Sequence, residues 1–219
     1  MQFLKAADLK VERTTALIYA PPGMGKTTLL GALPGKTLVI DVDRGTSVLR
    51  GFDRVEIVRL DEGLTDLPQV VAHLEKECKY DNVAVDSLSE LEKAMLTVYG
   101  REGKNDGAPE QGHYLKVQFK LADYCRRFRA LPANVIFTAW EVQKEIIAQD
   151  GSKYTQARPM ISDKSVDLIC GLCDVVGRIV VSSKDGNRYV WMKGSQEAVA
   201  KDRLHKRDYS NFEEVLGND

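Results

Sequence analysis

The densest chemistry in the chain sits in Ala20-Pro-Pro-Gly-Met-Gly-Lys-Thr27, between an apolar run (Ala16 to Ala20) and a segment of helical pattern opening at Lys26. In that context the spacing G-x-x-x-x-G-K-[ST] describes a loop whose backbone N–H groups wrap phosphate oxygens. Pro22 opens the turn, and the amides of Gly23, Met24, Gly25 and Lys26 are expected around a β-phosphate, helped by the positive end of the helix dipole. Lys26 is expected to bridge β- and γ-phosphate oxygens, Thr27 to complete part of a Mg2+ shell, and Thr28 to meet the α-phosphate end. ATP and Mg2+ are the cofactors this implies. The first motif position is Ala20 rather than Gly, a side chain small enough for a strand end.

A phosphate loop needs an acid that holds the metal through water, and Val83-Ala-Val-Asp86-Ser87 ends an apolar run on one. Two roles are open to Asp86: metal ligand, or cap of the helix beginning at Leu88. Beside a phosphate loop the metal role is favoured. Hydrolysis also needs a group that orients the attacking water. In Leu38-Val-Ile-Asp41-Val-Asp43-Arg-Gly, two-residue alternation puts Asp41 and Asp43 on one face, with Asp43 nearer the C-terminal edge where ligands bind. Asp43 is therefore the candidate; a plain turn acid before Gly45 is the alternative.

The elements that must position these groups are legible as alternating patterns. Short apolar runs at Ala16 to Ala20, Thr37 to Val42, Asn82 to Val85 and Val135 to Ala139 suit buried strands. Between them, helical faces run through Leu67, Val70, Leu74 and Cys78, through Leu88, Leu91, Met95 and Val98, and through Tyr114, Val117, Leu121, Tyr124, Phe128 and Leu131. Strands alternating with amphipathic helices predict an α/β fold, a mostly parallel sheet with helices on both faces. The last third reads as antiparallel strands at the sheet edge: a hairpin turning at Asp150-Gly151, and a pair, Val175 to Val181 and Arg188 to Met192, joined across Lys184 to Asn187.

At 219 residues and 43% hydrophobic composition the chain is read as a single domain, residues 1–219. A net charge of -1 lacks the bulk basic signature of a protein that coats nucleic acid, so such contact must be local. Charges at Lys5, Asp8, Lys10, Glu12 and Arg13 break any secretory signal, and no apolar run is long enough to span a bilayer, so a cytoplasmic location and no membrane partner are expected. Cys170 and Cys173 form one C-x-x-C without a second pair, and are read as part of an apolar helix face.

Ile40-Asp-Val-Asp43-Arg-Gly resembles the RecA-type strand that ends in a catalytic acid, although those usually carry Glu; Val83-Ala-Val-Asp86-Ser87 resembles their metal-acid strand. From about Thr14 to about Arg207, including Val135-Ile-Phe-Thr138-Ala and Lys201-Asp-Arg203, the chain resembles the phage AAA-type nucleotide-binding family that contains RecA-core single-strand annealing (Sak-type) proteins. The resemblance implies a RecA-like ATPase domain in the cytoplasm of an infected host. Lys201 and Arg203 would then enter a neighbouring copy's nucleotide site, which makes the partner another copy of the chain, with nucleotide at the subunit interface. A solvated charged tail is the other reading of those residues. Trp140 stands where RecA proteins have a Gln that senses the γ-phosphate; for Thr138 packing under the sheet is the favoured role, and a hydroxyl contact that substitutes for the sensor is the alternative.

The resemblance also implies single-stranded DNA, gripped by loops, with a single-strand binding protein as a possible further partner. Candidates are Gly100 to Gly112, flexible by composition, and the hairpin Lys144 to Arg158. In the hairpin Lys144, Lys153 and Arg158 suit phosphates and Tyr154 suits base stacking; a hairpin with ordinary surface charges is the alternative. The leading expectation is a DNA-dependent ATPase of recombination. Its rivals are a nucleotide-gated assembly module with negligible turnover and a small-molecule kinase, for which only Arg126, Arg127 and Arg129, on a helix, offer lid-like cations.

Overall fold

The computed structural model describes residues 5 and 13–217. The charged stretch read above at residues 1–15 lies mostly outside them. Six strands run parallel in the order β7 (Val175–Val181), β1 (Thr15–Ala20), β5 (Asn134–Ile147), β4 (Asn82–Asp86), β2 (Thr37–Asp41) and β3 (Val55–Arg59). Beyond β7 lie antiparallel β8 (Arg188–Trp191) and β10 (Tyr209–Ser210), while β9 (Lys201–Asp202) pairs with the start of β7. The expected α/β architecture, with its antiparallel C-terminal strands, is present. Only part of the expected edge is antiparallel, because β7 itself lies parallel to β1 and extends the central sheet.

The central strands are continuously apolar because both faces are covered. Leu17, Tyr19, Val83, Val85, Val135 and Phe137 face one core, packed with residues from α2 (Leu67–Lys76), α3 (Leu88–Glu102), α4 (Gln111–Arg129) and α5 (Asp163–Leu172). Ala16, Ile18, Ala84 and Ile136 face the other, closed by Leu29, Leu30 and Leu33 of and after α1 (Lys26–Ala32) and by Val215 and Leu216. Helices cover both faces, but unequally. On α4 the edge of Phe128 meets Phe137 at a centroid distance of 6.2 Å, pinning the longest helix to the middle of the sheet.

Several expectations shift in detail. Cys78 and Leu131 lie just past the helices assigned to them, and Tyr114 is exposed, so the buried stripe of α4 begins at His113 and Val117. The segment Gly100 to Gly112, expected to be loose, gives its first three residues to α3 and its last two to α4. A reciprocal capping box between Glu110 and His113 fixes the start of α4. Strand β5 does not stop at Ala139: it continues to Ile147, and its outer half, Glu141 to Ile147, pairs antiparallel with β6 (Lys153–Pro159). The expected hairpin is thus one arm continuous with a core strand.

That arm is tied to the core through Tyr19. Its buried hydroxyl lies 3.0 Å from the Ala157 carbonyl of β6 and 2.9 Å from that of Val199, and burial raises its pKa. Replacing Tyr19 by Phe removes the donor to both carbonyls, though Ala157 keeps the Val199 amide, at a cost of about 1 kcal/mol, within the usual range for a lost buried hydrogen bond. Urea unfolding of Tyr19→Phe is expected to show a lower midpoint with an unchanged slope; an unaltered midpoint would mean that this contact does not hold the arm.

Candidate nucleotide site

The loop after β1 has the backbone that phosphate wrapping requires. Gly23 and Gly25 both take left-handed conformations, at φ of 78° and 91°, where a side chain is disfavoured. A Cβ built on Gly23 would meet nothing within 4 Å, so the loop borders open space. Lys26, largely buried as the first residue of α1, donates from Nζ to the carbonyls of Ala20 and Pro21, both at 3.0 Å. Burial pulls its pKa down, against Asp86, Asp43 and Glu141, which raise it. An ammonium held only by two neutral carbonyls, with carboxylates nearby, is a group that phosphate oxygens can recruit. The residues present fit a triphosphate.

Across 59 residues of sequence the Thr27 hydroxyl donates to Asp86 Oδ2 at 2.7 Å. The Thr138 hydroxyl, in β5, donates to the other carboxylate oxygen of Asp86. Packing was the favoured role for Thr138; instead its hydroxyl orients the acid, because Asp86 at the end of β4 and Thr138 within β5 each follow the paired residues Val85 and Phe137. Burial raises the pKa of Asp86, while the two hydroxyls oppose that rise. The question of its role as a helix cap is settled by its neighbour: Ser87 is the N-cap of α3, accepting from the Glu90 amide. Thr27 and Asp86 together present the oxygen ligands that would hold Mg2+, directly and through water.

Asp41 and Asp43 do not share a face. β2 ends at Asp41, whose buried carboxylate turns back to Thr46 Oγ1 at 2.6 Å and the Gly45 amide at 3.2 Å, with Arg59 3.5 Å away. Asp41 is a turn anchor. Asp43 instead accepts from the amide of Ser87 at 3.0 Å, from its hydroxyl at 2.9 Å and from Trp140 Nε1 at 3.2 Å. It lies beside Asp86, since the main chain at Val42 and Asp43 donates to the Asp86 carbonyl. A carboxylate has about four lone-pair positions, and three donor groups leave room to orient one water.

Trp140, where the γ-phosphate sensor was expected to be missing, carries an indole N–H aimed at Asp43. Its amide donates to Ser89 at 2.8 Å and Lys93 lies 4.0 Å above its ring. Next to it Glu141 forks onto Arg178 of β7 at 2.8 and 2.9 Å. Neither Ser87, Trp140 nor this pair was singled out for a site role; Arg178 in the otherwise apolar Val175 to Val181 was the available signal.

The remaining candidates lie elsewhere. Lys201 and Arg203 sit at the opposite edge of the sheet, by the N-terminal ends of β1 and β7. Arg203 Nε donates to Asp174 at 2.9 Å, and Asp174 also accepts from the Thr15 amide. Burial and Arg203 lower the pKa of Lys201. In the arm, Lys144 pairs with Asp163, Lys153 with Glu145 and Arg158 with Asp167, and Tyr154 lies opposite Ile146. Arg127 is forked onto Glu75 of α2, not raised as a lid. Cys170 and Cys173 are buried in the first core, and burial pushes the Cys170 thiol up to about 11.

Among solved structures, a KaiC-like protein from Pyrococcus horikoshii aligns at 15% identity with a TM-score of 0.45, covering 81% of this chain and 77% of that one. The flagellar accessory protein FlaH from Methanocaldococcus jannaschii aligns at 7% identity and 0.40, covering 90% and 83%. No curated protein matches by sequence. The AAA domain description matches residues 12–204, most of the length, and the chain belongs to the AAA domain family of P-loop ATPases.

Proposed function

We propose that the chain is a Mg2+-dependent ATPase that works as a head-to-tail homo-oligomer on single-stranded DNA, promoting annealing or strand pairing in phage recombination. The observation that carries the ATPase reading is the bond from the loop hydroxyl of Thr27 to Asp86, with Asp43 beside it. Bound Mg2+ would neutralise charge on the phosphate oxygens. Lys26 exchanges its two carbonyls for β- and γ-oxygens, the amides of residues 23–27 hold the phosphates, and Thr28 stands at their far end. Asp43 orients the water with its free lone pair, fixed in direction by Ser87 and Trp140.

Self-association is supported by the position of Arg203. From the N-terminal edge it cannot reach its own phosphate loop, which follows the C-terminal end of β1, so as a catalytic cation it must serve another copy. The DNA reading is supported by the arm, rooted at Trp140 beside Asp43 and carrying Lys144, Lys153, Arg158 and Tyr154. The Lys144 and Lys153 pairs are no obstacle, because exposed pairs are worth roughly 0–1 kcal/mol and phosphates can replace the carboxylates. The reading as a gated module with negligible turnover keeps one observation in its favour: all but one of the acceptor positions of Asp43 are already engaged.

Three measurements test these parts. Steady-state hydrolysis is expected to fall by about 100-fold or more in Lys26→Ala and Asp43→Asn, as for loss of a charge-stabilising or general-base group; Asp43→Asn at full rate would remove Asp43 from catalysis. Arg203→Ala and Lys26→Ala proteins should each be inactive alone and regain hydrolysis when mixed, since mixed interfaces pair an intact pocket with an intact Arg203. No recovery in the mixture rules out the trans role. In filter binding, Lys144, Lys153 and Arg158 all changed to Ala should reduce the slope of log K against log salt by about 2 for a single strand; an unchanged slope places DNA, if bound, elsewhere.

A further inference from the structure

A cleft of about 590 Å3 opens between the β7–β8 turn and the segment after β10, with Val181, Asn187, Arg188, Tyr189, Asn211 and Phe212 among its walls. It adjoins the phosphate loop directly. A Cβ on Gly25 would stand 3.5 Å from Arg188 Cδ, 3.6 Å from Arg188 Nη1 and 3.6 Å from Phe212 Cε2. Phe212 and Met24 of the loop pack on the same core. The turn is braced from within: Asp185 accepts from the Asn187 amide at 3.0 Å and from the Tyr189 hydroxyl at 2.8 Å, and Tyr189 meets the edge of Tyr209.

Near this edge Arg178, Arg203 and Arg207 each rest on a carboxylate, whereas the Arg188 guanidinium, like several arginines elsewhere, makes no hydrogen bond or ion pair among the described residues. A positive charge is thus left uncommitted against the loop that wraps phosphates. The cleft holds one carboxylate, Glu213, beside this one cation, whereas in the cavity on the other side, beside Asp43, the acids Asp43, Asp61, Glu62 and Glu90 outnumber Arg44 and Arg101 and would repel an anion. Flat rings and two amide side chains, by contrast, suit the faces and edge of a nucleobase.

We propose that this cleft seats the base and ribose of the nucleotide, with Phe212 as the surface on which the base stacks and Arg188 as a cation in cis to the phosphates. The assignment rests on the phosphate-loop reading above and adds to it the residues that distinguish a nucleoside triphosphate from bare triphosphate.

The test is equilibrium titration of the folded chain with MgATP and with inorganic tripolyphosphate. Phe212→Leu keeps apolar volume in the core but removes the aromatic face, and thermal melting checks each variant for folding. The wild-type protein is expected to prefer ATP over tripolyphosphate. Phe212→Leu should weaken ATP about tenfold and leave tripolyphosphate unchanged, in line with the worth of a stacked base. Arg188→Ala should weaken both ligands, with partial rescue in Arg188→Lys. Equal affinity of the wild type for the two ligands, or a Phe212→Leu variant that binds ATP normally or loses both ligands alike, overturns the base assignment while the phosphate loop stands. Binding of neither ligand by wild-type protein overturns the phosphate loop, and this proposal with it.

Discussion

The carboxylate of Asp86 is the constraint around which the molecule is arranged. Buried at the end of a central strand, it would be costly to keep ionised without donors, and it finds them in Thr27 from the loop helix and Thr138 from the next strand. Those two bonds fix α1, β4 and β5 in one register at the edge where ligands meet such sheets. Everything at the site is referred to that point: the loop by Thr27, the arm by the strand that carries Thr138, and Asp43 by the main-chain bonds that β2 makes as it leaves the sheet beside Asp86. A hydrophobic pair of the same size would serve packing equally well, so the polar arrangement is not required by stability.

The two faces of the sheet contribute differently. Four helices build a thick core over Leu17, Tyr19 and Phe137, and this side supplies rigidity. The other side is thinner, closed by the seven-residue α1 and the apolar residues Val215 and Leu216, with Thr14 donating to the Leu216 carbonyl at 2.9 Å. The phosphate loop lies over this thinner side. Small adjustments of α1 are therefore resisted by few contacts, and among these the bond from Thr27 to Asp86 couples the helix to the central strand β4.

Much of this was legible in the sequence where the determinants are local. The phosphate loop is one uninterrupted segment, and the strands at Ala16, Thr37, Asn82 and Val135 announce themselves as apolar runs because both of their faces are buried. β3 did not, since Val55-Glu-Ile-Val-Arg59 is largely exposed at the sheet edge, and β9 and β10, two residues each, carry too little pattern. The length of β5 was masked by a change of period: the run to Ala139 is apolar throughout, whereas beyond it Glu141 to Ile147 belongs to an exposed two-stranded arm. Contacts that join distant segments left no local trace. Trp140 meets Asp43 across 97 residues and Ser87 meets it across 44, so only the pairing of strands brings them together. The shared face assumed for Asp41 and Asp43 failed because alternation holds only while the strand lasts.

One element spans both worlds. β5 leaves the parallel sheet and enters the β5–β6 hairpin without an intervening loop, so the seven residues Glu141 to Ile147 form a stiff spar of about 24 Å. A chain attached through a flexible tether could be pulled without disturbing its anchorage. A spar turns about its root, and here the root is Trp140, pinned to Ser89 on one side and Asp43 on the other. Load applied at the far end is shared between that indole, the Tyr19 hydroxyl on Ala157 and the Glu141–Arg178 pair, so the inner half of the spar is clamped to the core at several points and only its outer half is free to bend.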